Sequence, residues 1–89
     1  MKTPETLEKS AIKYYLRLKK VFFYHNLAGL GVYPGIPDIT AIKDGICYQI
    51  EVKVSKHKQN ENQIEFQKEW EAQRGIYILG GLDEVRKLL

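Results

Sequence analysis

The stretch Gly35-Ile36-Pro37-Asp38-Ile39-Thr40-Ala41-Ile42-Lys43-Asp44-Gly45-Ile46-Cys47-Tyr48-Gln49-Ile50-Glu51-Val52-Lys53 decides the fold. Two runs of β-forming residues, Asp38 to Lys43 and Ile46 to Val54, flank Asp44-Gly45. That dipeptide suits a tight type I′ turn, which needs positive φ at both central positions, so the stretch reads as a β-hairpin. Side chains alternate along a strand, which puts Ile46, Tyr48, Ile50, Val52 and Val54 on one face and Cys47, Gln49, Glu51 and Lys53 on the other. With Asp44-Gly45 as the turn, the numbers of opposed residues sum to about 89, and Glu51 falls opposite Asp38.

Before the hairpin, Ala28 to Pro37 is too rich in glycine and proline for a regular helix or central strand and reads as a shaped loop. Val21 to Tyr24 is a short run of β-formers. The first element reads as a helix over residues 4 to 19, with Thr3 able to cap, Pro4 suited to the first turn, and Leu7, Ala11, Tyr14 and Leu18 at helical spacing. After the hairpin, a polar link from Ser55 to Asn60 leads to a helix over Glu61 to Gln73. Ile64, Phe66, Gln67 and Trp70 are its expected face-forming residues, and Gly75 ends it. Ile76 to Leu79 reads as a buried strand, and Leu82 to Leu89 as a last helix with Val85, Leu88 and Leu89 inward. The expected order is α-β-β-β-α-β-α. A helical crossover between the third and fourth strands favours their parallel pairing, so the fold class is an α/β sandwich with a central mixed sheet flanked by helices.

Eighty-nine residues make one domain, spanning 1–89, with one core. At 44% apolar residues the chain is too hydrophobic for a disordered protein, and its apolar runs are too short for a membrane span. The single cysteine, Cys47, excludes an internal disulfide, and Met1 to Glu5 has no secretory apolar stretch, so a cytoplasmic setting is the expectation. The net charge of +3 is unevenly spread. Residues 1–25 carry Lys2, Lys9, Lys13, Arg17, Lys19 and Lys20 against Glu5 and Glu8. Such a helix suits either a phosphate backbone or plain solvation.

Directly opposed carboxylates repel unless something compensates them. Mg²⁺ or Mn²⁺ would do so, being hard cations that prefer carboxylate oxygen. Lys53, on the same strand face as Glu51, would stabilise charge building on a phosphate. Gln63 and Gln67 lie one helical turn apart, and either could face this site. Lys56, His57 and Lys58 form a short basic run that suits phosphate contact or a solvated loop. His25 and His57 have no paired ligand spacing, so no zinc site is expected; Cys47 and Trp70 read as packing residues.

Gly35-Ile36-Pro37-Asp38, Ile50-Glu51-Val52-Lys53 and Gln67-Lys68-Glu69-Trp70, with Glu8 ahead in the first helix, resemble the PD-(D/E)xK nuclease superfamily, and within it the VRR-NUC family. The resemblance spans nearly the whole chain and implies a restriction-endonuclease-like fold. It implies that Asp38 and Glu51 bind Mg²⁺ or Mn²⁺, with the Val52 carbonyl as a further ligand. Lys53 would be the catalytic lysine and Gln67 an active-site polar residue. Glu8 would complete the metal shell directly or through water, although a first-turn glutamate also suits the helix dipole.

The expected activity is hydrolysis of phosphodiester bonds in DNA, with Lys9, Lys13, Lys56 and Lys58 holding the backbone. The family permits resolution of four-way junctions or other branched DNA by a homodimer, and a partner protein could supply targeting. The alternative is a nucleic-acid-binding module of the same fold without catalysis.

Overall fold

The structure is a computed structural model that describes residues 3–54 and 58–89. Along the chain run α1 (Pro4–Leu18), β1 (Phe22–His25), β2 (Ile39–Lys43), β3 (Ile46–Val52), α2 (Glu61–Ala72), β4 (Ile76–Gly80) and α3 (Leu82–Leu88). One four-stranded sheet has the order β1-β2-β3-β4. Its first two pairings are antiparallel and the β3–β4 pairing is parallel, so the sheet is mixed. Asp44 (φ 53°) and Gly45 (φ 80°) both take positive φ, which lets two residues close the hairpin between β2 and β3. The register follows: Ile39 opposes Ile50 and Thr40 opposes Gln49, so each opposed pair of numbers sums to 89.

The strands' alternation assigns the two faces. Tyr48, Ile50 and Val52 of β3 join Ile39, Ala41 and Ile78 in the apolar core, which Ile12 and Leu16 of α1 and Val85 of α3 cover. Burial of the isoleucine, leucine and valine side chains among them, each worth about 1.5–3 kcal/mol, holds α1 and α3 on that face. On the opposite face Tyr77, paired with Gln49, reaches Gln59 and so the start of α2. The Trp70 indole N–H donates to the Ile76 carbonyl (3.0 Å), tying the last turn of α2 to β4. Helices thus flank a mixed sheet on both sides, the α/β arrangement that the strand and helix spacing implies.

Three helix faces differ from expectation. Leu7, Tyr14 and Leu18 of α1 are exposed, because the helix turns Ile12 and Leu16 to the sheet instead. No α2 residue is fully buried: Ile64 is exposed, and Trp70 lies half-buried at the margin rather than in the core. In α3, Leu88 is exposed while Val85 and Leu89 point inward. Cys47 is also exposed, at a shallow pocket shared with Trp70, Gln73 and Gly75.

Candidate active site

Thr3 starts α1, its hydroxyl accepting the Thr6 N–H (3.1 Å) ahead of Pro4. Residues 5, 9 and 13 then stand at successive i, i+4 positions on one stripe, beside the stripe of Ile12 and Leu16. That stripe carries Glu5 and Lys9 to the end of the sheet where β2 begins and β3 ends. There the carboxylates of Glu5, Asp38 and Glu51 converge, each offering an oxygen within 4.8 Å of the others.

Asp38 is held from both its backbone and its side chain. Its N–H donates to the Ile50 carbonyl (3.0 Å), its carbonyl accepts the Asn26 N–H (2.8 Å), and its Oδ2 accepts the Val52 N–H (2.8 Å). Its other oxygen, Oδ1, lies 3.1 Å from Lys9 Nζ. Glu51 is 4% exposed. Its carboxyl is pushed up to about 8, first by burial and then by the charge of Asp38, while Lys53 pulls it down. Lys53 Nζ stands 3.9 Å from Glu51 Oε2, and its backbone N–H is anchored on the Gly80 carbonyl (2.9 Å). The donor set consists of hard carboxylate oxygens around an acid whose charged form is disfavoured, which is the chemistry a divalent cation relieves.

A buried polar group beside the acids fixes the approach to Asp38. The Asn26 amide donates to the Pro37 carbonyl (3.1 Å) and to Gln49 Oε1 (3.1 Å), and its oxygen accepts the Thr40 hydroxyl (2.8 Å). Gln49 Nε2 closes the ring on Thr40 (3.0 Å). Sequence reasoning missed this cluster. Half of it was open to detection, since Thr40 and Gln49 also sum to 89, but Asn26 comes from the outer strand's end. On the loop side, Gly35 has φ +77°, and a Cβ there would collide with the Asn62 carbonyl, so only glycine lets the loop meet α2.

Asp38, Glu51 and Lys53 therefore stand together, as their strand positions imply. Glu8 does not join them. It continues the Ile12–Leu16 stripe toward α3, where its Oε2 accepts the Leu82 N–H (2.6 Å), and Glu5 holds the third acidic position. An unsatisfied N–H at the start of α3 is the partner that draws Glu8 away. Lys9, expected on a phosphate, is instead paired with Asp38. Lys13 lies near His25, whose pKa is lowered by partial burial and then by the charges of Lys13 and Lys9.

Val52 contributes its N–H to Asp38, while its side chain is buried in the core. Gln67 accepts from Gln59 Nε2 (3.0 Å), which also donates to the Tyr77 hydroxyl (3.1 Å). Burial pushes Tyr77 up to about 12, and the charges of Glu51 and Asp38 add to this, so the Gln67 network borders the acids through Tyr77. Gln63 is engaged in capping α2, exchanging hydrogen bonds with Asn60. Lys58 is exposed, and Lys56 lies outside the described residues.

Compared with known proteins, the chain matches no family model and no curated sequence, so the site's own geometry carries the functional reading.

Proposed function

We propose that this protein is a Mg²⁺- or Mn²⁺-dependent nuclease that hydrolyses phosphodiester bonds in DNA. The observation that carries the reading is the convergence of Glu5, Asp38 and Glu51 at one point, with Lys53 beside Glu51. Asp38 and Glu51 would hold the ion, Glu5 would complete the carboxylate set, and the Val52 carbonyl is the backbone ligand that the VRR-NUC resemblance suggests. The ion would supply charge neutralisation at the scissile phosphate and a lowered pKa for water. Lys53 presents its ammonium where negative charge builds on the phosphate. Gln67 braces the border through Gln59 and Tyr77, and Lys13, Lys56 and Lys58 hold the DNA backbone.

Purified protein should cut DNA with Mg²⁺ or Mn²⁺ and not in EDTA, while Asp38→Ala and Lys53→Ala should cut at least about a hundredfold more slowly. Wild-type rates in either variant would remove the assigned site.

The Lys9–Asp38 pair favours a second reading, a binding module without catalysis, because it neutralises one carboxylate with no metal. DNA binding in EDTA, no cleavage of any substrate and no Mn²⁺ uptake by calorimetry would select it. The fuller reading is a restriction-endonuclease-like cytoplasmic enzyme that acts as a homodimer on branched DNA such as four-way junctions, targeted by its own shape preference or by a partner protein. Light scattering and cleavage of a junction against linear duplex test that version. Among the described residues no helix is long and apolar enough to cross a membrane.

A further inference from the structure

The sheet face that carries Asp38 and Glu51 is only half covered. Gly35 and its loop close on α2, and α2 packs along β4, leaving the β1 end of that face open. There Phe22 opposes Ile42 and Tyr24 opposes Thr40, so the side chains of Phe22 and Tyr24 share the face of Thr40 and Asp38. Phe22 is 65% exposed and Tyr24 52%. Their rings meet edge to face at 6.1 Å, which leaves each a free π surface. Tyr24 sits one strand across and two positions along from Asp38, within about 10 Å of it by strand geometry.

Cations gather along the β1 edge beside these rings, and the carboxylates that share the rings' face are Asp38 and Glu51 of the candidate site. Arg17 of α1 lies over Phe23 and Lys13 stands near His25, both on the side of β1 opposite the two rings. Lys20 stands two residues before Phe22, and Lys43 directly follows Phe22's partner Ile42. Exposed aromatic rings on a cationic edge suit a polyanion with free planar faces. An unpaired DNA strand offers both, whereas a duplex keeps its base faces stacked against each other.

We infer that Phe22 and Tyr24 form a stacking platform for unpaired bases of a single-stranded DNA segment, placing the adjoining phosphate at the Glu5–Asp38–Glu51 cluster. The inference rests on the nuclease reading for its purpose, but the platform is tested by binding alone. Affinity for a labelled oligothymidylate and for a labelled hairpin duplex is measured by fluorescence anisotropy in EDTA, for wild type, Phe22→Ser, Tyr24→Ser and Tyr24→Trp. Both positions are exposed, and circular dichroism checks that each variant folds.

Each serine variant is expected to bind the oligothymidylate roughly fivefold or more weakly while duplex affinity stays within about twofold, and Tyr24→Trp should restore single-strand binding. Equal losses on both DNAs, unchanged single-strand affinity, or no DNA binding by the wild type would overturn the platform. So would a wild-type dimer that Tyr24→Ser converts to monomer, because the rings would then be a contact between copies. If binding behaves as expected and no DNA is cut with Mg²⁺ or Mn²⁺, the platform stands and the nuclease reading fails.

Discussion

Lys9 Nζ and Asp38 Oδ1 are 3.1 Å apart, so an ammonium from α1 occupies one of the oxygens that a divalent ion would use. Both side chains are partly exposed, which limits such a pair to about 0.5–1 kcal/mol. Replacing Lys9 with Met should therefore tighten Mn²⁺ binding by about two- to fivefold, read by calorimetry at fixed pH. A weaker ion site in Lys9→Met would mean that Lys9 supports the cluster instead of competing for it.

Glu51 imposes a pH dependence on stability in the metal-free protein. Its carboxyl rises from 4.5 to about 8 on folding, so between those values the folded chain holds a proton that the unfolded chain has released. Stability from this group is fully present below about pH 4.5 and is lost as pH rises through 8, with a slope of at most about 1.4 kcal/mol per unit. Urea denaturation from pH 5 to 8.5 should show that decline, and Glu51→Gln, which cannot titrate, should flatten it. Added Mg²⁺ should recover stability at the alkaline end, because an ion replaces the proton. A wild-type profile as flat as the variant's would refute the assignment.

The Asn26 ring should behave as a cooperative unit. Asn26→Ala leaves the Pro37 carbonyl and the buried Thr40 and Gln49 side chains short of partners, at an expected cost of about 2–4 kcal/mol. Because the same amide fixes the residue before Asp38, activity in this variant should fall even at temperatures where it stays folded. Thermal melts beside cleavage rates separate the two effects.

The hairpin and its acids were legible because one turn dipeptide sets every cross-strand pair. Once Asp44-Gly45 closes the turn, the opposition of Asp38 and Glu51 follows from counting alone. Helix α1 has no equivalent marker. Its apolar residues occupy more than one stripe, Leu7, Tyr14 and Leu18 as well as Ile12 and Leu16, and only the second packs on the sheet. The choice between stripes rotates the helix and decides which glutamate reaches the acids. Asn26 was illegible for a related reason, since its partners are set by how β1 lies against β2, and no turn of fixed geometry joins those strands.

Glu5 and Glu8 lie one turn apart and should separate cleanly by substitution. Glu8→Ala removes the acceptor for the Leu82 N–H at the start of α3 and should cost about 1–2 kcal/mol of stability, with Mn²⁺ affinity nearly unchanged. Glu5→Gln should do the reverse. It takes one negative charge from the cluster, so Mn²⁺ affinity should drop by about tenfold or more while the urea midpoint holds or rises slightly, since Glu5 adds to the repulsion that Glu51 experiences. Calorimetry and urea melts on the two variants give four readings. If Glu8→Ala loses the ion and Glu5→Gln keeps it, α1 sits about one turn from the position described, and the third carboxylate is the one the nuclease resemblance implies.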